Sequence, residues 1–490
     1  MRRRALAAGV LALSTAVPVL LTPARAAKPG LQVLRDGEAG RMTRLPKNDE
    51  FQADTAIEPS IAVNPANPRN AVIGFQAGRG DGAASNGYGY TFDAGRHWTY
   101  GLMPKLTGLT GGPFTSASDP VIAFGPKNAV YFSSLAFNAT TSAIVNHTSH
   151  DGGKHWDEPT YVLDNPGQVF NDKNWVVVDN GTGAGHHTGR VYVVWDVGQP
   201  VLASYSDDEG RTWLRAPSVI HPGQGIGTIP LVMPNGDLAV VYSTGAWVPP
   251  VGDKTPPDNQ LVAGGGQMVI SVAHGAGSVP TGSPLVFTPP VTVGDDRGNS
   301  VQDLRAGGLP SASVDARTGR IAVTWEDGRY RKDKANDVVV TTSTDGVRWS
   351  TPVRVDRGAA DDDVDHFTPA IATGPDGVLR LAYRQRAGAD NGESSPYVDT
   401  VLQQSADGGR TWTAPLRVNR VRTDLRFAAF SRASAFLGDY MQVAAAGEFT
   451  YVVRCESMRL SGRDVGSLPP EDTHHQRAWV AVVGPQGRTL

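Results

Sequence analysis

Ser405-Ala406-Asp407-Gly408-Gly409-Arg410-Thr411-Trp412 is the fullest copy of a short pattern, Ser/Thr-x-Asp-x-Gly-x-x-Trp, that decides how this chain reads. The pattern returns at Thr91, Asp93, Gly95 and Trp98, at Ser149, Asp151, Gly153 and Trp156, and at Ser206, Asp208, Gly210 and Trp213. A copy one residue shorter runs from Ser343 to Trp349. Such recurrence is the signature of a repeat architecture. Its chemistry is that of a hairpin turn. Short Asp and Ser/Thr side chains accept hydrogen bonds from nearby amides, Gly takes the left-handed position, and Trp folds a large ring over the turn. Apolar runs such as Val338-Val339-Val340 lead into the boxes, as strands lead into hairpins. One active site does not need five copies, so these aspartates are expected to build turns rather than to catalyse or bind calcium.

A second repeat precedes the boxes. It reads acid or polar residue, Pro, small residue, then alternating apolar residues. Glu58-Pro59-Ser60-Ile61, Asp119-Pro120-Val121-Ile122, Asp172-Lys173-Asn174-Trp175 and Ile229-Pro230-Leu231 carry it. So do Leu309-Pro310-Ser311, Thr368-Pro369-Ala370 and Gly438-Asp439-Tyr440-Met441. Each unit is long enough for three or four short antiparallel strands, which bury both faces only when arranged in a ring. The expected fold is all-β, a β-propeller of seven blades by repeat count, spanning residues 58–490. Residues 251–299 read as a decorated blade that has lost its box, and residues 27–57 as a lead that supplies the strand closing the last blade.

Composition agrees and narrows the function. Hydrophobic residues at 40% and charged residues at 19% fit a folded chain and exclude disordered and many-span membrane classes. With 45 basic against 48 acidic residues there is no field for nucleic acid or an anionic membrane. Arg2-Arg3-Arg4, the apolar run to Leu21 and Ala24-Arg25-Ala26 have the form of a cleaved export signal over residues 1–26. Its removal takes four arginines and no acid, moving the net charge from −3 to −7. A secreted protein with no membrane span in its mature form is expected, and a monomer. Cys455 is the single cysteine, so no intrachain disulfide forms. No nucleotide loop, HExxH or Gly-x-Ser-x-Gly motif is present, and no cofactor is expected.

The turn motifs resemble the Asp boxes, or BNR repeats, of the sialidase (neuraminidase) superfamily, and the resemblance covers most of the mature chain. It implies a propeller, six-bladed in sialidases proper, with a site at the end of the central channel away from the boxes. Where that family carries Arg-Ile-Pro, this chain has Glu58-Pro59-Ser60. Arg79-Gly80-Asp81 stands where the family places a second arginine and an acid/base aspartate, and equally reads as a glycine-rich surface loop. The last blade matches better: Tyr440 stands for the nucleophilic tyrosine and Glu456 for the glutamate that assists it. The plainer alternative is that Asp439-Tyr440 packs the propeller core.

Arg329, Arg384, Arg386 and Arg454 end inner strands and suit a bidentate grip on an acidic sugar, or salt bridges to the acids across the channel. Those acids, Glu58, Asp119, Asp172, Glu326 and Asp439, stand at equivalent strand ends and suit neutral-sugar hydrolysis or a cation as well as sialic acid. The run Asp361-Asp362-Asp363-Val364-Asp365-His366 offers calcium-type oxygen ligands, against the reading of a solvated loop. The expected function is a secreted sialidase-like glycoside hydrolase acting on a terminal sugar, exo-α-sialidase first, with Asp81, Tyr440 and Glu456 catalytic. A glycan- or protein-binding propeller and a polysaccharide lyase are the alternatives.

Overall fold

Runs such as Val191-Tyr192-Val193-Val194-Trp195 are buried at every residue, as strands covered on both faces must be. The computed structural model describes residues 30–44, 50–165, 170–197, 199–245, 266–332, 335–356, 358–359, 362–388, 394–431, 434–460 and 474–490. The proposed export signal and residues 251–265 lie outside them. Among the described residues the helical pieces are three-residue 3-10 turns, and no helix is long and apolar enough to cross a membrane.

Strands Gln52–Val63, Ala71–Arg79, Ala83–Thr91 and Thr99–Leu102 pair in sequence, each antiparallel to the one before. The same meander recurs from Ser116–Phe124 to Thr160–Asn165, and from Asp172–Val178 to Ser218–His221. It runs again from Ile226–Val232 to Val291–Asp295, from Ser311–Val314 to Val353–Arg354, and from Val364–Thr373 to Leu416–Arg417. The chain therefore forms an all-β propeller. In the last group Gln442–Ala446, Phe449–Ser457 and Gln476–Pro485 supply three strands, and Leu31–Gly40 supplies the fourth. The first inner strand begins at Gln52, inside the lead segment read from the repeats.

The boxes build identical turns. Ser405 Oγ donates to Asp407 Oδ1 at 2.8 Å and accepts from the Gly409 amide at 2.8 Å. The Asp407 carboxylate then accepts the Arg410 and Thr411 amides at 3.1 and 3.0 Å. Thr91-Asp93, Ser149-Asp151, Ser206-Asp208 and Ser343-Asp345 repeat the pattern. Partial burial opposes ionisation, yet these donors hold Asp93 and Asp407 down at about 2. Trp156 packs edge-on against Tyr88 and Phe132, with ring centroids 5.6 and 5.7 Å away.

The second repeat is a β-bulge. Glu58, Asp119, Lys173 and Thr368 adopt φ of 50°, 46°, 47° and 49°, and Gly227 takes 75°. At each of them the pairing with the next strand slips. A left-handed backbone costs a non-glycine residue about 1–2 kcal/mol, and such strain gathers at functional sites. Hydrogen bonds between inner strands hold the ring. Gln442 accepts from the Ile61 amide (2.7 Å), Asn174 donates to the Asp119 carbonyl (3.0 Å), and Thr228 donates to the Lys173 carbonyl (2.9 Å). The boxes sit at the opposite end: Ser405 is in register with Leu379, and Leu379 with Thr373, the far end of the inner strand from Thr368.

Candidate functional site

The bulges turn their side chains toward the axis. Glu58, Asp119 and Lys173 are each at most 5% exposed there, joined by Asp172, Asp439, Tyr440 and Arg305. Gln76 links two of the acids: its amide donates to Glu58 and to Ser118 Oγ (2.7 Å), and Ser118 donates to Asp119 (2.7 Å). Arg305 reaches Asp439 with Nε and Nη2 at 3.1 and 2.6 Å, a bidentate pair. Arg305 and Arg79 both lie over the Phe436 ring, 4.4 and 5.1 Å from its centroid, and both donate to Ser431 Oγ.

Lys173 Nζ rests 3.4 Å from the centroid of the Tyr440 ring and 4.7 Å from that of Trp175. Neither Nζ nor the Tyr440 hydroxyl has a hydrogen-bond partner among the described residues. These cation–π contacts carry a charge that burial otherwise disfavours.

Electrostatics separates the acids. Burial, then the charge of Asp119, pushes Asp172 up to about 7, against a 2.9 Å hydrogen bond from the Lys173 amide. Burial, with Asp119 and Asp439 nearby, raises Glu58 well above the carboxylate range. Burial lowers Lys173, against the pull of Asp119 and Glu58. The Tyr440 phenol rises well above its usual value through burial and the four surrounding carboxylates. Glu326, which accepts the Thr368 and Gly308 amides at 2.8 and 2.9 Å, goes to about 8, chiefly by burial.

Two separate cavities are lined by residues of this region. One, with room for about 20 Å³, is lined by Lys173, Trp175, Glu326, Asp439 and Tyr440. The other, about 100 Å³, is lined by Phe170, Asp172, Asp196 and Gln224. Asp172 and Lys173 are adjacent in sequence and serve one cavity each.

Of the residues expected at the site, Tyr440, Glu58 and Arg79 belong to this cluster. Asp81 is exposed on the turn between Ala71–Arg79 and Ala83–Thr91, outside the hydrogen-bond network. Glu456 is buried and pinned by Arg454 Nε and the Thr423 hydroxyl. Arg454 also grips Asp36 at 2.6 Å, tying the closing strand to the last blade. Arg329 is bidentate to Asp327 at 2.8 and 2.7 Å. Arg384 is buried and donates to the Leu437 carbonyl at 3.3 Å. Arg386 donates to the Ser395 carbonyl at 2.6 Å and to the Gln302 carbonyl at 2.5 Å.

The run 361–366 is divided. Asp361 lies outside the described residues, Asp362 pairs with Arg331 at 2.8 Å, and Asp365 accepts the Asn336 amide at 2.9 Å. Lys173 and Arg305 are the cations that sequence reasoning missed. Lys173 sits inside the quoted repeat at the position of Glu58, whereas Arg305 comes from a connecting segment with no repeat signal.

No protein-family model matches this chain, and no curated protein sequence does. Solved structures match it in fold. A polysaccharide lyase of family PL25, an ulvan lyase bound to -[GlcA(1-4)Rha3S]-, superposes with a TM-score of 0.50 at 12% identity, over 89% of this chain and 95% of that one. The Hadza microbial sialidase Hz136 gives 0.41 at 14% identity, over 86% and 77% of the two chains. The α-L-arabinofuranosidase Arb93A of Fusarium graminearum gives 0.40 at 11% identity, over 74% and 91%. At such identities the likeness is one of fold, and the first of these structures shares the all-β propeller.

Proposed function

We propose that this chain is a secreted, carbohydrate-active enzyme that cleaves a glycan by acid–base chemistry at the axial carboxylates. Asp172 acts as general acid and Asp439, gripped by Arg305, as the second carboxylate. One observation carries the reading: at one end of the ring, a carboxyl raised to about 7 stands near a carboxylate gripped by a guanidinium. Two carboxyl groups in different surroundings are what glycosidic cleavage requires. Trp175 and Phe170 add aromatic surface of the kind that packs on sugar rings. The neighbours named above act on glycans, but fold likeness does not transfer activity. The reading therefore stands on the carboxylates. We also read the successive strand groups as seven blades in a single propeller domain over residues 58–490, following an export signal, and the protein as a monomer.

The exo-α-sialidase form of this proposal is the weaker one. It needs arginines free to hold a carboxylate near Tyr440, whereas Arg329, Arg384, Arg386 and Arg454 are bonded elsewhere. The carboxylates around Tyr440 also oppose the phenolate a nucleophile would need. Tyr440 and Lys173 are better suited to shaping the cavity floor. A polysaccharide lyase is the second reading, favoured by Lys173, whose basicity burial lowers in the direction a proton acceptor needs.

The test is turnover of a panel of chromogenic glycosides, a sialoside included, and of polyuronates followed by the ultraviolet absorbance of an unsaturated product. Hydrolysis of a neutral glycoside that fails in Asp172→Asn supports the proposal. Turnover of the sialoside that depends on Tyr440 overturns the assignment of Asp172 and Asp439, and an unsaturated product supports the lyase. No turnover of any substrate leaves a glycan-binding propeller.

A further inference from the structure

Three buried polar side chains converge where the strands from Ser311–Val314 to Val353–Arg354 meet the next inner strand. Asp337 opens the strand Asp337–Ser343, Asp356 follows Val353–Arg354, and His366 lies in Val364–Thr373. Their side chains are 0%, 5% and 6% exposed, and one ligand atom of each lies within 4.8 Å of the others. His366 Nδ1 stands 4.0 Å from Asp337 Oδ1 and 3.9 Å from Asp356 Oδ2. Neither that nitrogen nor Asp356 Oδ2 has a hydrogen-bond partner among the described residues. A buried lone pair without a donor costs about 1–3 kcal/mol, so the arrangement asks for a ligand.

The surrounding charges leave room for a cation. Arg354 reaches Asp337 at 2.9 Å and Asp356 at 2.6 Å, and Arg331 reaches Asp337 at 3.4 Å and Asp362 at 2.8 Å. Three carboxylates thus face two guanidiniums, with one negative charge over. Tyr383 packs edge-on against the ring at 5.5 Å, and the Asn336 carbonyl accepts the His366 amide at 3.0 Å. The imidazole is therefore already oriented.

We infer that Asp337, Asp356 and His366 bind a divalent transition-metal ion, zinc(II) being the best match, which staples two neighbouring blades. One imidazole nitrogen and two carboxylate oxygens suit zinc, with water as fourth ligand, whereas calcium takes six to eight oxygens. Ligand atoms about 2.0–2.1 Å from a tetrahedral zinc stand roughly 3.3–3.4 Å apart, so the site closes by about half an ångström on binding. Arg354 remains on the outer oxygens, Asp337 Oδ2 and Asp356 Oδ1, and orients them, as neighbours of metal ligands commonly do, while Arg331 stands 3.4 Å from Asp337 Oδ1 on the ligand side. His366 belongs to the acidic run singled out in the sequence, but its partners come from the preceding blade.

The test uses the tag-free mature chain, dialysed against chelator and then given zinc(II) or cobalt(II) alone. One equivalent of zinc stays bound through gel filtration, and Tm rises by at least about 2 °C in saturating metal. Cobalt(II) gives the visible d–d bands of a four-coordinate site. His366→Gln, folded by circular dichroism, loses the uptake, the Tm response and the cobalt bands. No uptake and an unchanged Tm in the wild-type chain overturn the site and leave Asp337 and Asp356 sharing a proton. Undiminished uptake by His366→Gln also overturns it. Should that variant not fold, the wild-type cobalt spectrum decides: without four-coordinate bands the inference falls.

Discussion

Arg305 holds both carboxylate oxygens of Asp439, at 3.1 and 2.6 Å, although 134 residues separate them. Arg305 comes from the stretch before the inner strand Ser311–Val314, and Asp439 from the segment just before Gln442–Ala446. The guanidinium grips one axial acid, while burial leaves Asp172 able to carry a proton.

Arg305→Lys keeps a positive charge and loses the fork. On whichever glycoside the enzyme turns over, kcat should fall at least about tenfold, since a lysine cannot hold both oxygens in one plane. Steady-state kinetics of this variant beside the wild type decides it. An unchanged kcat would detach Arg305 from the chemistry.

A general acid with a pKa of about 7 works only while protonated. The activity should therefore decline as pH rises through about 7, and Asp172→Asn should abolish that limb together with most of the turnover. The same group bears on stability with a definite sign. Its folded pKa lies above the unfolded value of about 3.9, so the native state binds the extra proton between about pH 4 and 7. This acid's contribution to stability falls as pH rises across that window. Urea unfolding of Asp172→Asn should show a flatter dependence than the wild type.

His147 behaves in the opposite way. It is buried with Nε2 2.9 Å from the Pro104 carbonyl, and burial lowers its pKa to about 4. The folded state therefore resists protonation, and stability present above about pH 6.5 is lost as pH falls toward 4. The loss is on the order of 3 kcal/mol. His147→Gln should remove this dependence in unfolding experiments between pH 4 and 7, whatever its effect at neutral pH.

Gly438 has φ 102°, and a Cβ there would lie 2.6 Å from the Glu58 amide nitrogen. Gly111 also has positive φ (84°) but opens on empty space. Replacing each by Ala separates strain from collision. Gly111→Ala should cost about 1–2 kcal/mol. Gly438→Ala should cost at least about 1 kcal/mol more, because backbone of the first blade must move, and should depress activity by displacing Glu58 and Asp439.

The fold was legible because its signals are local. Each box is a turn written in eight residues, and the Ser405-Asp407-Gly409 hydrogen bonds are those its chemistry foretells. The second repeat also marked the bulges, and with them Glu58, Asp119, Asp172 and Asp439. What the sequence hid was pairing across the ring. Arg454 looked like a substrate arginine, yet its guanidinium serves Asp36, more than 400 residues away in the chain. Arg384 and Arg386 likewise spend their donors on backbone carbonyls. Arginines at strand ends look alike until burial shows which of them have partners, and Arg305 lies outside any repeat.

The pairing of Leu31–Gly40 with Gln476–Pro485 has a kinetic corollary. During synthesis Leu31–Gly40 must wait for Gln476–Pro485, so the ring cannot shut until that later strand has emerged. Until then an unpaired edge stands open at each end of the growing stack. Such a molecule takes its closed shape in a single late snap. Joining its two ends and cutting between other blades would shift that delay without altering the finished wheel.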